Sequence, residues 1–261
     1  MTKKTLRVMM IGDVSGQSGM GALFLGLSSA IREHRADFII CNGENAAQGF
    51  GISVEDYSNM KKAGVDVITS GNHIWQKDEI FSIMERSDDI LRPANYPEPC
   101  VGKGMCIKEV SGTSVAVINL QGRVEMMNTD CPFRKAEALV RSARKVTPLV
   151  FVDFHAESSE EKEALAFFLD GTVTALAGTH THVQTRDEKI LPSGTAYITD
   201  LGITGVQNVV IGSDPVKSIE RQLTQLPIRS EVAEGKGRIQ GIVVEADVET
   251  GKALSIERFT Y

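Results

Sequence analysis

Five short apolar runs rich in Val and Ile each stop in a knot of small and polar residues: LRVMMIGDVSG, DFIICNGEN, VDVITSGNH, PLVFVDFHAE and TALAGTHTH. Runs of this length without polar alternation suit strands that are covered on both faces. Between and beside them the pattern predicts helices from Gly19 to His34, Ser53 to Ala63, Gln76 to Arg86, Pro132 to Val146 and Ser158 to Asp170. Three of these starts carry a physical signal. Ser53 with Asp56 and Ser158 with Glu161 fit a capping box, and Pro132 suits a first helical turn. Further runs at Gly104 to Val110, Ser114 to Leu120, Ala196 to Thr199, Arg238 to Asp247 and Ala253 to Tyr261 hold few helix signals and extend the sheets. Glu249-Thr250-Gly251-Lys252 separates the last two and predicts a closing β-hairpin. Strands alternating with helices give an α/β fold, with two sheets in a sandwich flanked by helices. Gly202 to Asp214 and Arg229 to Gly237 read as surface loops, and no repeat or linker divides residues 1–261, so one domain is expected.

Composition narrows the function. A formal net charge of −6 leaves no broad basic surface for long nucleic acid, although a metal site can still attract a phosphate locally. The N-terminal apolar run breaks at Gly12 and Asp13, too early for an export signal, and no stretch is long enough to span a bilayer. A cytoplasmic protein without a membrane role is expected. The four cysteines, Cys41, Cys100, Cys106 and Cys131, form no CxxC pair and read as reduced thiols.

Chemistry enters through the residues that end the apolar runs. Asp13, Glu44, Asn45, Asn72, His73, His155, His180 and His182 all follow strand-like segments, and in layered α/β folds the carboxyl ends of strands form the ligand crevice. Imidazole nitrogens mixed with carboxylate and amide oxygens suit Mn, Fe, Zn or similar ions. His180 and His182 would share a face if extended, whereas a bend would aim them at neighbouring metals. Each residue alone has a plainer reading. Asp13 could cap a helix, Glu44 and Asn45 could sit in a loop, Asn72 and His73 could form a turn, and His155 could be a core histidine. Only the ordered set is specific. GDVSGQSG fails the tests for a phosphate loop, since it holds neither GxxxxGK(S/T) nor GxGxxG, and Ser15 lacks the GxSxG elbow of a serine hydrolase.

The ordered set resembles the calcineurin-type metallophosphoesterases, whose blocks run D-x-H, G-D-x-x, G-N-H, an isolated His and G-H-x-H. Gly71-Asn72-His73 matches outright. Ser15 stands where the family has a ligand His, GENA replaces the G-D block, and Thr179 precedes His180 in place of glycine. GDVSGQSG, NGENAAQGFGI, TSGNHIWQ, NYP, DFHAE, GTHTHVQT and YITDLGITG resemble the bacterial YmdB-like phosphodiesterases over nearly the whole chain. That resemblance implies a four-layer α/β/β/α sandwich with two mixed sheets flanked by helices. It also implies a dinuclear iron or manganese site, divalent or mixed-valence, that hydrolyses cyclic nucleotides such as 2′,3′-cyclic AMP or other small phosphodiesters. By motif position, Asp13, Glu44, Asn45 and His182 would hold one metal and Glu44, Asn72, His155 and His180 the other, with Glu44 bridging. His73 would donate a proton to the departing ribose oxygen or steady the developing charge. Asp153, Glu157 and Asp200 are candidates for orienting imidazoles or are simply solvated. A metal-binding regulator that senses nucleotides or RNA-processing partners, and a nuclease of the same fold, are the competing readings; a homo-oligomer is compatible with all three. Phe50, Trp75, Tyr96 and Phe133 could stack on a base or pack within the fold.

Overall fold

The computed structural model describes residues 4–261. In chain order the elements are β1 (Thr5–Ile11), β2 (Asp13–Val14), α1 (Gly16–His34), β3 (Phe38–Asn42), α2 (Val54–Ala63), β4 (Val67–Thr69), α3 (Phe81–Met84), β5 (Met105–Val110), β6 (Thr113–Gln121), α4 (Pro132–Ala143), β7 (Val150–His155), α5 (Ser159–Phe168), β8 (Ala175–Thr179), β9 (Lys189–Ile190), β10 (Ala196–Ile198), β11 (Ile203–Val206), α6 (Pro215–Thr224), β12 (Gly237–Arg238), β13 (Gln240–Asp247) and β14 (Ala253–Thr260). The first sheet runs β14-β13-β1-β3-β4 and the second β5-β6-β7-β8-β10-β9, with a small β12-β11-β2 ribbon beside them. Both large sheets are mixed: β1, β3 and β4 are parallel, as are β6, β7, β8 and β10, while β13 pairs antiparallel with β1, β14 with β13, β5 with β6 and β9 with β10.

Period-two alternation sorts the strand residues into layers. Val8, Met10, Phe38 and Ile40 of the first sheet meet Val117, Phe151, Ala177 and Ile198 of the second in one buried core. Their alternates Met9, Ile11, Ile39 and Val243 face Leu23, Leu27 and Ala30 of α1 and Met60 of α2. Ile118, Val152, Phe154 and Leu176 face Ala136 and Val140 of α4 and Leu165 and Ala166 of α5. The result is the expected four-layer α/β/β/α sandwich.

Most expected elements form, and their caps explain why. Ser53 and Asp56 close a full capping box, Pro132 occupies the first turn of α4, and Ser158 accepts from the Glu161 amide. Glu161 does not return the bond; its carboxylate instead accepts from the backbone of Arg123 and Val124. The closing hairpin of β13 and β14 is present, with Gly251 at φ 75°.

Three expectations need correction. Gln76 to Arg86 is not a continuous helix but 3₁₀ turns at Ile74–Gln76 and Asp78–Ile80 followed by α3. Ile74 and Ile80 are both fully buried, and six residues of straight helix would set them about 120° apart, so breaking the helix between them lets both face the core. The first helix begins at Gly16 rather than Gly19, because Gly19 serves a different purpose: a Cβ there would overlap the Thr204 carbonyl of β11. Gly202 to Asp214 is not a surface loop throughout. Ile203–Val206 forms β11, parallel to β2, with Ile203 and Thr204 buried. Helix α6 was signalled by Asp214 before Pro215, a cap and a first-turn proline, and Asp214 does accept from the Lys217 amide.

Candidate metal centre

The carboxyl ends of β3, β4, β7 and β8 lie along one edge where the two sheets meet, and β2 is joined to them by Ser15, the residue after it, which bridges to Asn45. Asp13 lies within β2, Glu44 and Asn45 follow β3, Asn72 and His73 follow β4, His155 ends β7, and His180 and His182 follow β8. The structure therefore brings all eight together. His180 and His182 are not extended; their φ values of 103° and 64° put both in the left-handed region, and their rings take different partners, His155 for one and Asn45 for the other. Such backbone costs about 1–3 kcal/mol per residue and persists only where neighbours hold it. Asp13 Oδ2 accepts from the His180 amide at 3.1 Å, and Asp200 Oδ2 accepts from the Thr181 amide at 3.1 Å and the Thr181 hydroxyl at 2.9 Å. Lys162, fully buried, donates to the same Asp200 oxygen at 2.8 Å.

Hydrogen-bond logic fixes how the imidazoles present themselves. Thr179 Oγ1 donates to Asp153 Oδ1 at 2.7 Å, so it must accept from His155 Nδ1 at 2.9 Å. Asn42 and Thr69 also donate to Asp153, keeping that carboxylate in place. In neutral His155 the Nε2 lone pair is then turned to the cleft, 3.0 Å from Glu44 Oε1, 3.2 Å from Asn72 Oδ1 and 3.0 Å from His180 Nδ1. His180 Nε2 meets Glu157 at 3.1 Å, and His182 Nδ1 donates to the Ile211 carbonyl at 2.9 Å, which leaves His182 Nε2 beside Asn45. Asp153 acts on His155 through Thr179 and Glu157 acts on His180 directly, whereas Asp200 touches no imidazole and instead holds the loop between His180 and His182.

This arrangement fits divalent cations. Glu44, His155 and His180 offer ligand atoms that all lie within 4.8 Å of one another. Around His155 Nε2, three electron-rich atoms converge where one proton can satisfy only one of them. Their spacings match the roughly 3.0 Å edge between neighbouring ligands whose bonds to a metal are about 2.1 Å. Asp13 Oδ1 is fully buried with no hydrogen-bond partner, an unmet acceptor of the kind a cation satisfies. Gly71 is required beneath the cluster, since a Cβ there would overlap His155 and the Glu44 carboxylate.

Without a cation the cluster is held by protons. Burial alone would depress the His155 imidazolium, but the carboxylates of Glu44, Asp13 and Asp153 outweigh it and raise its pKa to about 9. Burial opposes the Glu44 charge, yet His155 and His73 hold that carboxyl well below its ordinary range. Burial lifts Asp13 to about 6 despite His155 and His182, and burial together with the neighbouring His155 charge drives His180 down to about 3.

His73 stands at the edge of this cluster with Nδ1 2.8 Å from Asn45 Oδ1 and its amide donating to Glu44 Oε2 at 3.1 Å. Phe50 meets its ring edge-on at 5.0 Å between centroids, while Trp75 and Tyr96 pack on each other at 5.2 Å and Phe133 packs on Phe168. Above the cluster opens a cleft of about 510 Å³. Ile211, Gly212, Ser213, Arg221, Ser230 and Val232 complete its wall. Sequence reasoning missed that wall, and for Ile211 it had no signal to use, because the contribution is a backbone carbonyl.

Known proteins resemble the chain over nearly its whole length. A protein of Bacillus subtilis (strain 168) named 2′,3′-cyclic-nucleotide 2′-phosphodiesterase is 46% identical over 253 residues, covering 97% of this chain and 96% of that protein. A hypothetical protein from Thermus thermophilus superposes with a TM-score of 0.91 at 39% identity, covering 98% of this chain and 99% of its own. A phosphatase from Mycoplasma pneumoniae superposes with a TM-score of 0.93 at 32% identity, covering 100% of this chain and 94% of its own. The family model described as YmdB-like protein matches residues 9–259, and the chain belongs to that family.

Proposed function

We propose that the chain is a metal-dependent phosphodiesterase that hydrolyses 2′,3′-cyclic nucleotides, or closely related small phosphodiesters, at a centre of two iron or manganese ions. The observation that carries this reading is the convergence of acceptor atoms on His155 Nε2 together with the unmet Asp13 Oδ1. Asp13, Asn45 and His182 would hold one ion, Asn72, His155 and His180 the other, and Glu44 both. Bound there, the ions would supply the positive charge that polarises a phosphoryl oxygen and acidifies a water for attack.

The chain's own groups do the rest. Thr179 and Glu157 keep the lone pairs of His155 and His180 turned inward. Asn45 can offer a cation only its amide oxygen, which here accepts from His73 Nδ1. Turning that amide over releases Oδ1 to the cation and presents Nδ2–H to His73 Nδ1, which moves the ring proton to Nε2. His73 then holds a proton for the departing ribose oxygen, while Phe50 against its ring limits its rotation. The cytoplasmic setting and the single domain of residues 1–261 form part of this proposal; four unpaired cysteines support the former.

The test is hydrolysis of 2′,3′-cyclic AMP by metal-stripped protein with Mn²⁺ restored, beside a His73→Ala variant whose metal is counted. Turnover that requires Mn²⁺ and falls about 100- to 10,000-fold in the variant, with its metal content intact, supports the reading. Fully metallated wild-type protein that turns over neither cyclic nucleotides nor simple phosphodiesters refutes it and favours a regulatory binder.

A further inference from the structure

Helix α6 is an odd occupant of the cleft wall. Ser218 is its one buried residue, while Val216, Ile219 and Leu223 are 72%, 55% and 79% exposed, so core packing does not account for its position. It is tied down at its base, where the Asp214 amide donates to the Glu231 carbonyl at 2.8 Å, Lys217 pairs with Glu231, and Ser213 meets Ser230 at 2.8 Å. What the helix delivers to the cleft is Arg221. Among the described residues lining that cleft, Arg221 is the one Lys or Arg, and its guanidinium makes no hydrogen bond or ion pair there. Two other basic groups of the region are committed elsewhere, Lys162 to Asp200 and Lys217 to Glu231.

An unpaired guanidinium facing a cleft that holds Glu44 and Glu157 calls for an anion that is not part of the protein. A phosphodiester carries its charge on two non-bridging oxygens, and the planar fork of arginine matches two such oxygens, which a lysine ammonium does not. We infer that Arg221 is a substrate-binding residue that grips the phosphoryl group in the cleft it shares with the metal centre. The inference rests on the phosphodiesterase reading above. It assigns to α6 the role of setting affinity for the anionic part of the substrate, and it explains why a helix with so little buried surface is held over the site.

The experiment uses the full-length protein loaded with Mn²⁺, as wild type, Arg221→Ala and Arg221→Lys, with metal content and thermal unfolding recorded for each. Binding of inorganic phosphate is measured by calorimetry, and KM and kcat are measured on 2′,3′-cyclic AMP. A lost charge-assisted hydrogen-bond pair predicts phosphate affinity about 10- to 100-fold weaker in Arg221→Ala, with metal content unchanged and KM raised more than kcat is lowered. Arg221→Lys should recover part of the loss. Phosphate affinity and KM within about twofold of wild type in Arg221→Ala would overturn the inference. The two readings fail separately. Wild-type protein that binds phosphate through Arg221 but turns over no phosphodiester sinks the phosphodiesterase reading alone, and turnover indifferent to Arg221 sinks this inference alone.

Discussion

Thr179 carries no charge, yet it decides which nitrogen His155 offers to the cleft. Its hydroxyl proton is committed to Asp153, so His155 Nδ1 must donate and Nε2 must face Glu44, Asn72 and His180. Thr179→Val keeps the shape and removes the relay. Metal affinity is expected to fall about 10- to 100-fold, as a titration in metal-buffered solution would record; unchanged affinity would mean the ring is oriented by something else. The protons that stand in for a cation give a second expectation. With its pKa raised from 6.5 to about 9, His155 contributes stability that is complete below pH 6.5 and is lost as pH rises through 9. Glu44, lowered from 4.5, contributes above pH 4.5 and loses its share as pH falls toward its depressed value. Asp13, raised from 3.8 to about 6, costs stability progressively as it ionises across that interval. Metal-stripped protein should therefore lose thermal stability between about pH 6.5 and 9, and metal-loaded protein should not, because a ligating imidazole is already neutral. Parallel pH profiles for the two forms would contradict this account of the cluster.

The segment joining β8 to β9 carries the two histidines in strained backbone, and Asp200 with Lys162 holds it from beneath. Lys162→Met removes one half of a fully buried ion pair and leaves the Asp200 charge without its counter-ion. A loss of about 3–5 kcal/mol in unfolding free energy is expected, with weaker metal binding, whereas stability near wild type would show that the pair is dispensable. Elements with a local cause were readable from the sequence: a capping box at Ser53, a proline at Pro132, a serine cap at Ser158 and a turn before the last strand. Helix α6 carried the same kind of signal in Asp214-Pro215 but lay beside a stretch rich in Gly and Asn that reads as loop. Strand β11 was hidden because it is four residues long and is defined by its partner β2, which the sequence around it does not announce. Gly19 misled for a similar reason, since its use is contact with a distant carbonyl rather than the start of a helix.

Taken as a whole, the molecule is two mixed sheets sharing one apolar core, and the site lies on the edge where the carboxyl ends of the parallel strands converge. The two sheets should unfold together: Phe151→Ala, at the centre of that shared core, is expected to cost about 3–5 kcal/mol in a single cooperative transition, and a separate transition for either sheet would contradict this. The eight polar residues were legible in advance because each closes or follows an apolar run, which the layered fold turns into one cluster. The cleft wall was not legible, because Arg221 and the Ile211 carbonyl reach the site from an excursion whose position depends on tertiary contacts with Val232 and Glu231. The central claim is that seven side chains hold two ions with Glu44 between them. It is tested most directly by anomalous diffraction from crystals grown with Mn²⁺ and collected near the manganese absorption edge. Two peaks, one among Asp13, Asn45 and His182 and one among Asn72, His155 and His180, each in contact with Glu44, are the expected result. A single peak, or peaks away from these residues, would contradict it.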